Sequence, residues 1–430
     1  MNTKLLLLVL FEVIMLKCTN GPKPGTETSS TEHPPGQELK EISTFDSAAV
    51  AFAKELVYNK EDVDNWLSGN DRFAQYDGKL GWLLYSSIVQ DGVDSSKCRY
   101  TYDEDGQGSR KMINYANRPC RINTYGNSFT QCHQVSDGET WQEILAAHMG
   151  EPLRNFGIGG WSVYQAYLRM LKEEEKTPAD FIIFNIYSDD HYRNLDSWRS
   201  IRVDRRQYHE NGFGEVTLPY LEVNVEKNTI TEHPNPCPSP EDVYKLCDLK
   251  WVLNRFSNDF AFNLMLSHRV NAARTTDKQY GDLKELTTTY GINTRIDDAK
   301  SMNELSHQIH TDAALFSTKK IVELIEEFAA TNNKKVLYVL SYNSYEVGKM
   351  INEGERFDAE FIDYMEEKGL HFVDLMQKHM LDYQKYKCST VEYLEQYFIG
   401  HYNPRGNFFH AWNIKNDLVK MLEPKPESYN

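Results

Sequence analysis

Four short segments of the sequence contain residue types that can carry out nucleophilic catalysis. They are Gly126-Asn127-Ser128-Phe129-Thr130, Asn155-Phe156-Gly157-Ile158-Gly159-Gly160-Trp161-Ser162, Tyr187-Ser188-Asp189-Asp190-His191 and Gly400-His401-Tyr402-Asn403-Pro404-Arg405-Gly406-Asn407. A serine hydroxyl becomes an effective nucleophile when a neighbouring base accepts its proton. The first segment therefore offers Ser128 as a nucleophile, and the fourth offers His401 as the best-placed general base.

Each of these segments lies where a predicted strand ends or a predicted helix begins. Ser128 follows a strand predicted at residues 121–125, and Asp189 follows the apolar run Phe181–Tyr187. Because the carboxyl ends of parallel strands open on one crevice, we expect these side chains to meet there. Considered alone, the segments around Ser128 and His401 are more typical of turns built by Gly, Asn and Pro.

The second segment is rich in glycine. Three glycines within four residues, Gly157, Gly159 and Gly160, allow the backbone to approach a ligand closely. The N–H groups entering the next helix can then hydrogen-bond developing negative charge. A dinucleotide-binding Gly-x-Gly-x-x-Gly motif is the alternative, but Ser162 occupies the third glycine position and no acidic residue follows at the required distance. The pattern favours an oxyanion site.

Taken together and in this order, the four segments resemble the SGNH or GDSL family of serine hydrolases over about residues 121–422. The similarity is specific through residues 157–165 and 401–407. The resemblance implies that Ser128 is the nucleophile, that the N–H group of Gly160 helps to bind the oxyanion, and that His401 is the base. It also implies an esterase that needs no cofactor and acts on carboxylic esters, such as acyl groups on a carbohydrate or a lipid.

The third segment departs from the family pattern. Asp189 stands where the family has an asparagine that donates to the oxyanion, and Asp190 follows it. An ionised carboxylate would repel an oxyanion, which leaves two alternatives. Either Asp189 turns away and another donor serves, or Asp189 is protonated and donates a hydrogen bond, as a carboxylic acid in an apolar site can.

The acid that usually precedes the family's histidine is also missing, because Phe398 and Ile399 occupy its candidate positions. Glu392, Glu395 or the more distant Asp190 could orient His401. A Ser-His dyad with a backbone carbonyl as the orienting group is the other alternative.

Two further functions use the same residues or fewer of them. An acyltransferase would need the same catalytic groups and differ only in the acceptor, whereas a non-catalytic ligand- or carbohydrate-binding protein would keep the crevice without the chemistry. A metal cluster of Asp189, Asp190, His191 and His133 is conceivable from residue types alone. We expect no metal in this site.

The order of predicted elements indicates an α/β protein with a three-layer α/β/α sandwich around a parallel sheet. We expect an export signal or lipid-anchor segment at 1–18, a linker at 19–40, an N-terminal accessory region at 41–118 and the hydrolase-like domain at 119–430, with an insertion at about 197–331. The predicted sheet strands are 121–125, 155–158, 181–187, 335–340 and 372–375. The main helices are predicted at 42–56, 140–149, 164–174, 240–266, 317–331, 359–368 and after residue 407.

The first 16 residues predict export. Lys4 precedes an apolar stretch that only Glu12 interrupts, as in a signal peptide. Cys18 is a candidate for lipid attachment, although Lys17 stands where such a site prefers a small residue. We therefore expect an exported protein that is secreted, periplasmic or tethered to a membrane surface through its N-terminus.

Composition excludes one class of partner. The 430 residues carry a formal charge of −16, and the isoelectric point is near 5.3, so the chain would repel a nucleic-acid backbone. The seven cysteines contain no Cys-x-x-Cys pair, which argues against a zinc ribbon or thioredoxin-like site. Cys237 and Cys247 are a candidate disulfide.

Overall fold

The computed structural model describes residues 42, 44–68, 74–203, 216–269, 277–292 and 302–429. The predicted export segment with Cys18 and the predicted linker lie outside these residues. Within the described chain, no helix is both long and apolar enough to cross a bilayer.

The described strands fall into one central sheet and three small hairpins. In chain order they are β1 (Ala74–Asp77), β2 (Gly81–Leu84), β3 (Ser87–Val89), β4 (Cys98–Tyr100), β5 (Ile122–Tyr125), β6 (Arg154–Asn155), β7 (Phe181–Tyr187), β8 (Tyr220–Asn224), β9 (Thr229–His233), β10 (Lys335–Ser341) and β11 (Phe372–Asp374). The pairs β1–β2, β3–β4 and β8–β9 are antiparallel, and the remaining five strands pair in parallel.

The described α-helices connect and cover these strands. They are α1 (Ser47–Leu56), α2 (Lys60–Leu67), α3 (Ser128–Gln131), α4 (Trp141–Met149), α5 (Val163–Lys176), α6 (Asp190–Arg193), α7 (Pro240–Val243), α8 (Leu249–Phe256), α9 (Phe260–Arg269), α10 (Asp277–Tyr290), α11 (Met302–Thr331), α12 (Ser344–Glu353), α13 (Ala359–Glu367), α14 (Leu375–Tyr383), α15 (Thr390–Tyr397) and α16 (Pro404–Met421).

The central sheet has the spatial order β6-β5-β7-β10-β11. The chain moves from β5 outward to β6, then returns past β5 to β7 and continues to the other edge. This arrangement makes a topological switch point between β5 and β7, and open α/β sheets bind ligands outside the carboxyl ends of the strands at such a point. Ser128 follows β5 and Asp189 follows β7, so both lie at this switch point.

Helices cover both faces of the sheet, which confirms the predicted three-layer α/β/α sandwich. On one side α5 contacts β5 and α11, and α11 contacts β10; on the other, α16 contacts α4, α14, β10 and β11. All seven residues of β7 are buried, as expected for an apolar strand covered on both faces. The predicted limits of β7 are correct, and those of the other central strands differ by one to three residues.

The N-terminal region packs against the rest of the chain through a second hydrophobic core, separate from that of the central sheet. Helix α1 and the hairpin β1–β2 share this core with Trp161, with Trp198 and with the helices α8 and α9 of the insertion. Among its members, Trp82 on β2 lies beside the glycine-rich segment, because its indole Nε1–H donates to the carbonyl of Gly159 (3.1 Å). The N-terminal region therefore forms part of the wall around the switch point.

The insertion is built differently from the prediction in three respects. The helix predicted at 240–266 is interrupted and forms α7, α8 and α9. Helix α11 begins at Met302 rather than near residue 317, because its N-terminal half packs against α9 and α10 in a third hydrophobic cluster. The candidate disulfide is wrong, since no disulfide bond joins Cys237 to Cys247. The insertion also contains the β8–β9 hairpin.

Candidate active site

Ser128 is the first residue of α3, immediately after the turn that ends β5. Asn127 caps this short helix, because its Oδ1 accepts a hydrogen bond from the N–H of Phe129 (2.9 Å). Gly126 has φ +150°, and a Cβ atom there would lie only 2.3 Å from Thr130 Oγ1 and 2.7 Å from the Asn185 carbonyl oxygen. Glycine is therefore required for the turn that presents Ser128.

Asp190 fixes the same turn from the neighbouring strand. Its Oδ1 accepts hydrogen bonds from Asn127 Nδ2 (2.9 Å) and Arg193 Nη1 (2.8 Å), and its Oδ2 accepts one from the N–H of Tyr187 (3.3 Å). Burial raises the pKa of Asp190 to about 8, with the attraction of Arg193 opposing burial and the charge of Asp189 reinforcing it. Asp190 thus links the ends of β5 and β7 through Asn127.

His401 lies in the loop before α16 and reaches Ser128. Its Nε2 atom is 2.8 Å from the Ser128 Oγ atom. The ring packs against Phe129, with 5.2 Å between centroids, and edge-on against His133 at 5.0 Å. Asn403 then caps α16 by accepting from the N–H of Gly406 (3.0 Å). The structure therefore brings together the serine and histidine singled out in the sequence.

The surroundings of His401 favour its neutral form. Burial lowers the pKa of His401 well below the usual histidine range, and the neighbouring His133 and Arg193 lower it further. A neutral imidazole is the form that can accept a proton. The His401 ring is therefore ready to act as a base at neutral pH.

The orienting acid expected from the sequence does not contact His401. Glu392 is exposed and accepts hydrogen bonds from Ser389 at the start of α15 (2.7 and 2.8 Å), and Glu395 is exposed on the same helix. Asp190 binds the groups already named. In the described chain, none of these three carboxylates is a hydrogen-bond partner of the His401 ring, so their assignment as the orienting acid is wrong.

An amide occupies the place of the acid. The Oε1 atom of Gln134 accepts a hydrogen bond from the backbone N–H of His401 (2.7 Å) and lies 3.3 Å from its Nδ1 atom. Gln134 is itself bound by the N-terminal region: its N–H donates to the Tyr100 hydroxyl (2.7 Å), and its Nε2 donates to the Asp91 carbonyl (3.1 Å). The sequence analysis missed all three residues.

The glycine-rich segment lies directly beside Ser128. A Cβ atom on Gly159 would be 3.7 Å from the Ser128 Cβ atom, and Gly160 has φ +81°. The Gly159 carbonyl accepts from Trp82 (3.1 Å), and the Gly160 carbonyl accepts from Arg199 Nη1 (3.2 Å). Because a trans peptide is planar, the first contact also fixes the direction of the Gly160 N–H, opposite to the Gly159 carbonyl.

The Asp189 carboxylate is paired with two arginines. It lies 2.8 Å from Arg193 Nε and 3.2 Å from Arg202 Nη1. Burial alone would raise the pKa of Asp189, but the charges of Arg202 and Arg193 outweigh burial and hold this pKa well below its usual range. The alternative of a protonated Asp189 donating to the oxyanion is therefore wrong.

The four side chains considered for a metal are directed to different partners. Asp189 and Asp190 bind arginine, His191 Nδ1 lies 2.9 Å from Thr318 Oγ1, and His133 Nε2 lies 3.4 Å from Asp91 Oδ2. Over the part of the chain that the structure describes, no group of three or more His, Cys, Asp or Glu side chains is arranged to hold a metal ion.

Comparisons with known proteins give only distant similarity. No protein-family model matches the chain, and no curated protein does. Among solved structures, a GDSL-like lipase from Bacteroides thetaiotaomicron is similar, with a TM-score of 0.29 and 12% identity over 71% of this chain and 89% of the lipase. A candidate acylhydrolase from Bacteroides fragilis gives a TM-score of 0.29 and 13% identity over 71% and 88% of the two chains. These scores are too low to assign a function.

Proposed function

We propose that this protein is a serine hydrolase that cleaves carboxylic esters, with Ser128 as the nucleophile and His401 as the base. The observation that carries the proposal is the 2.8 Å distance between Ser128 Oγ and His401 Nε2 at the switch point of the sheet. This distance is within the range for direct proton transfer between a nucleophile and its base.

In the proposed reaction, Ser128 Oγ attacks the ester carbonyl carbon while its proton passes to His401 Nε2. The C–O bond to the alcohol then breaks, and the leaving alkoxide takes that proton from His401. A water molecule then attacks the acyl carbon of the acyl-enzyme and gives a proton to His401. The bond between that carbon and Ser128 Oγ breaks, and Ser128 Oγ takes the proton from His401 as the acid is released. The side chain of Ser128 is regenerated, and no cofactor takes part.

Backbone N–H groups would stabilise the oxyanion in this reaction. The N–H groups of Ser128 and Gly160 are the proposed donors, since the glycine-rich segment lies against Ser128 and the contact with Trp82 sets the direction of the Gly160 amide. Asp189 is occupied by arginines, which supports a hole made from backbone alone. Such preorganised donors are worth roughly 10²- to 10³-fold each in kcat.

The substrate class and location are part of the same proposal. We propose esters in which a carbohydrate or lipid carries the acyl group, and an exported protein that is secreted, periplasmic or tethered at its N-terminus. The apolar stretch after Lys4 and the candidate lipid site at Cys18 support export. Cell fractionation of wild type and Cys18→Ser tests the tether. If Cys18 carries the lipid, this change should release the protein from the membrane fraction.

Hydrolysis of a p-nitrophenyl ester by purified protein tests the proposal. Ser128→Ala should abolish hydrolysis with little change in the melting temperature, because the hydroxyl contributes little to the hydrophobic core. Ser47→Ala, at an exposed serine on α1, is the matched control and should keep full activity. Equal hydrolysis by wild type and Ser128→Ala would contradict the proposal. A folded but inactive wild type across a panel of acyl chain lengths would favour the non-catalytic binding protein.

A further inference from the structure

We propose that Gln134 is the positioning residue for His401 and takes the place of the missing triad acid. This inference rests on the proposed function, because it assigns a role in a reaction that Ser128 and His401 would carry out. A set of hydrogen bonds fixes the orientation of the Gln134 side-chain amide. This orientation in turn fixes the tautomer of His401.

The orientation of the Gln134 amide follows from two backbone groups. A backbone N–H can only donate, and a backbone carbonyl can only accept. The N–H of His401 lies 2.7 Å from one end of the amide, and the carbonyl of Asp91 lies 3.1 Å from the other. The first end must therefore be Oε1 and the second Nε2, since the reversed amide would place two donors and two acceptors face to face.

The tautomer of His401 follows from this orientation. Gln134 Oε1 has two lone pairs and only accepts, so the ring nitrogen beside it, Nδ1, must carry the proton. Neutral His401 then has an unprotonated Nε2, which faces the hydroxyl of Ser128. This is the tautomer that can remove the serine proton, and selecting it is the role of the acid in a Ser-His-Asp triad.

Gln134 is held at its backbone as well as at its side chain. The Tyr100 hydroxyl accepts from the N–H of Gln134 (2.7 Å) and donates to Asp91 Oδ2 (2.7 Å). Next to the side chain, Gly400 has φ +114°, and a Cβ atom there would lie 2.9 Å from Gln134 Oε1. The approach of the histidine loop to the amide therefore depends on glycine at position 400. The 3.3 Å distance to Nδ1 is long, and such contacts commonly shorten when substrate binds.

A neutral orienting group predicts an unusual pH dependence. Ser128, Gln134 and His133 surround the His401 ring. The charge of Arg193 lowers the pKa of His401. Asp91 lies beside His133. A triad carboxylate would stabilise the imidazolium, whereas the Gln134 amide brings no charge. We therefore expect His401 to stay neutral, and kcat/KM to stay high, at pH values below the ordinary histidine pKa of about 6.5.

Two substitutions at Gln134 test this role. Gln134→Gly removes the amide while suiting the left-handed backbone at this position (φ +70°), so backbone strain cannot explain a loss. We expect kcat to fall at least about a hundredfold with KM little changed, short of the roughly ten-thousandfold loss when a triad histidine takes the wrong tautomer. Gln134→Glu keeps the Oε1 acceptor and adds a charge, but it loses the Nε2 donor to the Asp91 carbonyl. It should retain activity at alkaline pH and move the acid limb of kcat/KM upward by about one pH unit or more, because an adjacent carboxylate stabilises the imidazolium.

Gln396→Glu is the matched control. Gln396 is an exposed glutamine on α15, five residues before His401, and its side chain binds Arg405 instead of the His401 ring. The same added charge there should leave kcat and the acid limb as in wild type. An unchanged kcat in Gln134→Gly, or the same acid limb in Gln134→Glu and wild type, would overturn the inference. If Ser128→Ala were fully active, the proposed function itself would fail, so the two failures are distinguishable.

The tautomer can also be read without an activity assay. In protein labelled with ¹⁵N-histidine, the His401 resonances are identified by comparison with His401→Ala. We expect the proton on Nδ1 in wild type and in Gln396→Glu, and a mixture of tautomers in Gln134→Gly. A proton on Nε2 in wild type at neutral pH would overturn the inference.

Discussion

The Nε2 atom of His401 lies 2.8 Å from the Oγ atom of Ser128, although 273 residues separate the two in the chain. Two different parts of the fold produce this contact. The turn between β5 and α3 presents the serine at the switch point of the sheet, and the loop that Asn403 ends by capping α16 brings the histidine over it.

This contact predicts that the two residues act as one unit. His401→Ala should lower kcat about as much as Ser128→Ala, by at least ~10³-fold, and the double variant should be hardly worse than either, as found when members of a catalytic unit are removed together. The measurement is kcat for ester hydrolysis by the three variants, with melting temperatures as the folding control. Losses that add in the double variant would show that the serine and the histidine do not work together.

The ion pairs of Asp189 predict an effect on stability. Asp189→Asn removes the charge that Arg193 and Arg202 face. Breaking a fully buried pair costs about 3–5 kcal/mol. The Asp189 side chain is 32% exposed, so we expect a smaller loss, about 1–3 kcal/mol in the free energy of unfolding at pH 7. Urea unfolding measures the difference, with Glu395→Asn, an exposed carboxylate on α15, as the control near zero.

The pH dependence of this loss has a definite sign. The folded-state pKa of Asp189 is held below its unfolded value of about 3.9, so its stabilisation is complete above that value and is lost as pH falls through the folded pKa. The difference between wild type and Asp189→Asn should therefore be equal at pH 5 and pH 6, which lie above the unfolded pKa of Asp189 and below the raised pKa of Asp190. Likewise, an alkaline limb of kcat/KM should not disappear in the variant. A limb that disappears in the asparagine variant would mean that Asp189 is protonated.

The glycine-rich segment offers a test of the oxyanion site. Gly160 has φ +81°, and a Cβ atom there would lie 3.0 Å from Arg199 Nη1 and from Trp82 Cζ2. Gly160→Ala should therefore shift the peptide that carries the proposed donor and lower kcat, by up to roughly 10²- to 10³-fold if the donor is lost. Gly138→Ala is the control, because a Cβ atom there meets nothing within 4 Å. Wild-type kcat in Gly160→Ala would argue against Gly160 as a donor.

The sequence predicted the parts of the fold that local patterns encode. The apolar run Phe181–Tyr187 identified β7 with its limits correct, since a strand buried on both faces needs nearly every residue apolar. The start of α11 was missed by about 15 residues, because its N-terminal half is stabilised by contacts with α9 and α10 rather than by a pattern of its own.

The candidate site shows more clearly that local sequence patterns do not predict contacts between residues far apart in the chain. Ser128 and His401 could be named because four segments, each at a predicted strand end or helix start, together and in this order resemble a family of serine hydrolases. Gln134 could not, because its proposed role rests on contacts with His401, 267 residues away, and with Asp91, 43 residues away. The ion pair of Asp189 with Arg202 could not be predicted either, because Arg202 is 13 residues further along the chain and no sequence pattern pairs the two.

Labelling with a fluorophosphonate tests the central claim most directly, because this probe reacts with a serine only when a neighbouring base activates it. Intact-mass analysis and peptide mapping of wild type should show one adduct, on the peptide that contains Ser128. The adduct should be absent from Ser128→Ala, strongly reduced in His401→Ala and unchanged in Ser47→Ala. Adduct formation on another serine, or none on folded wild-type protein, would contradict the account.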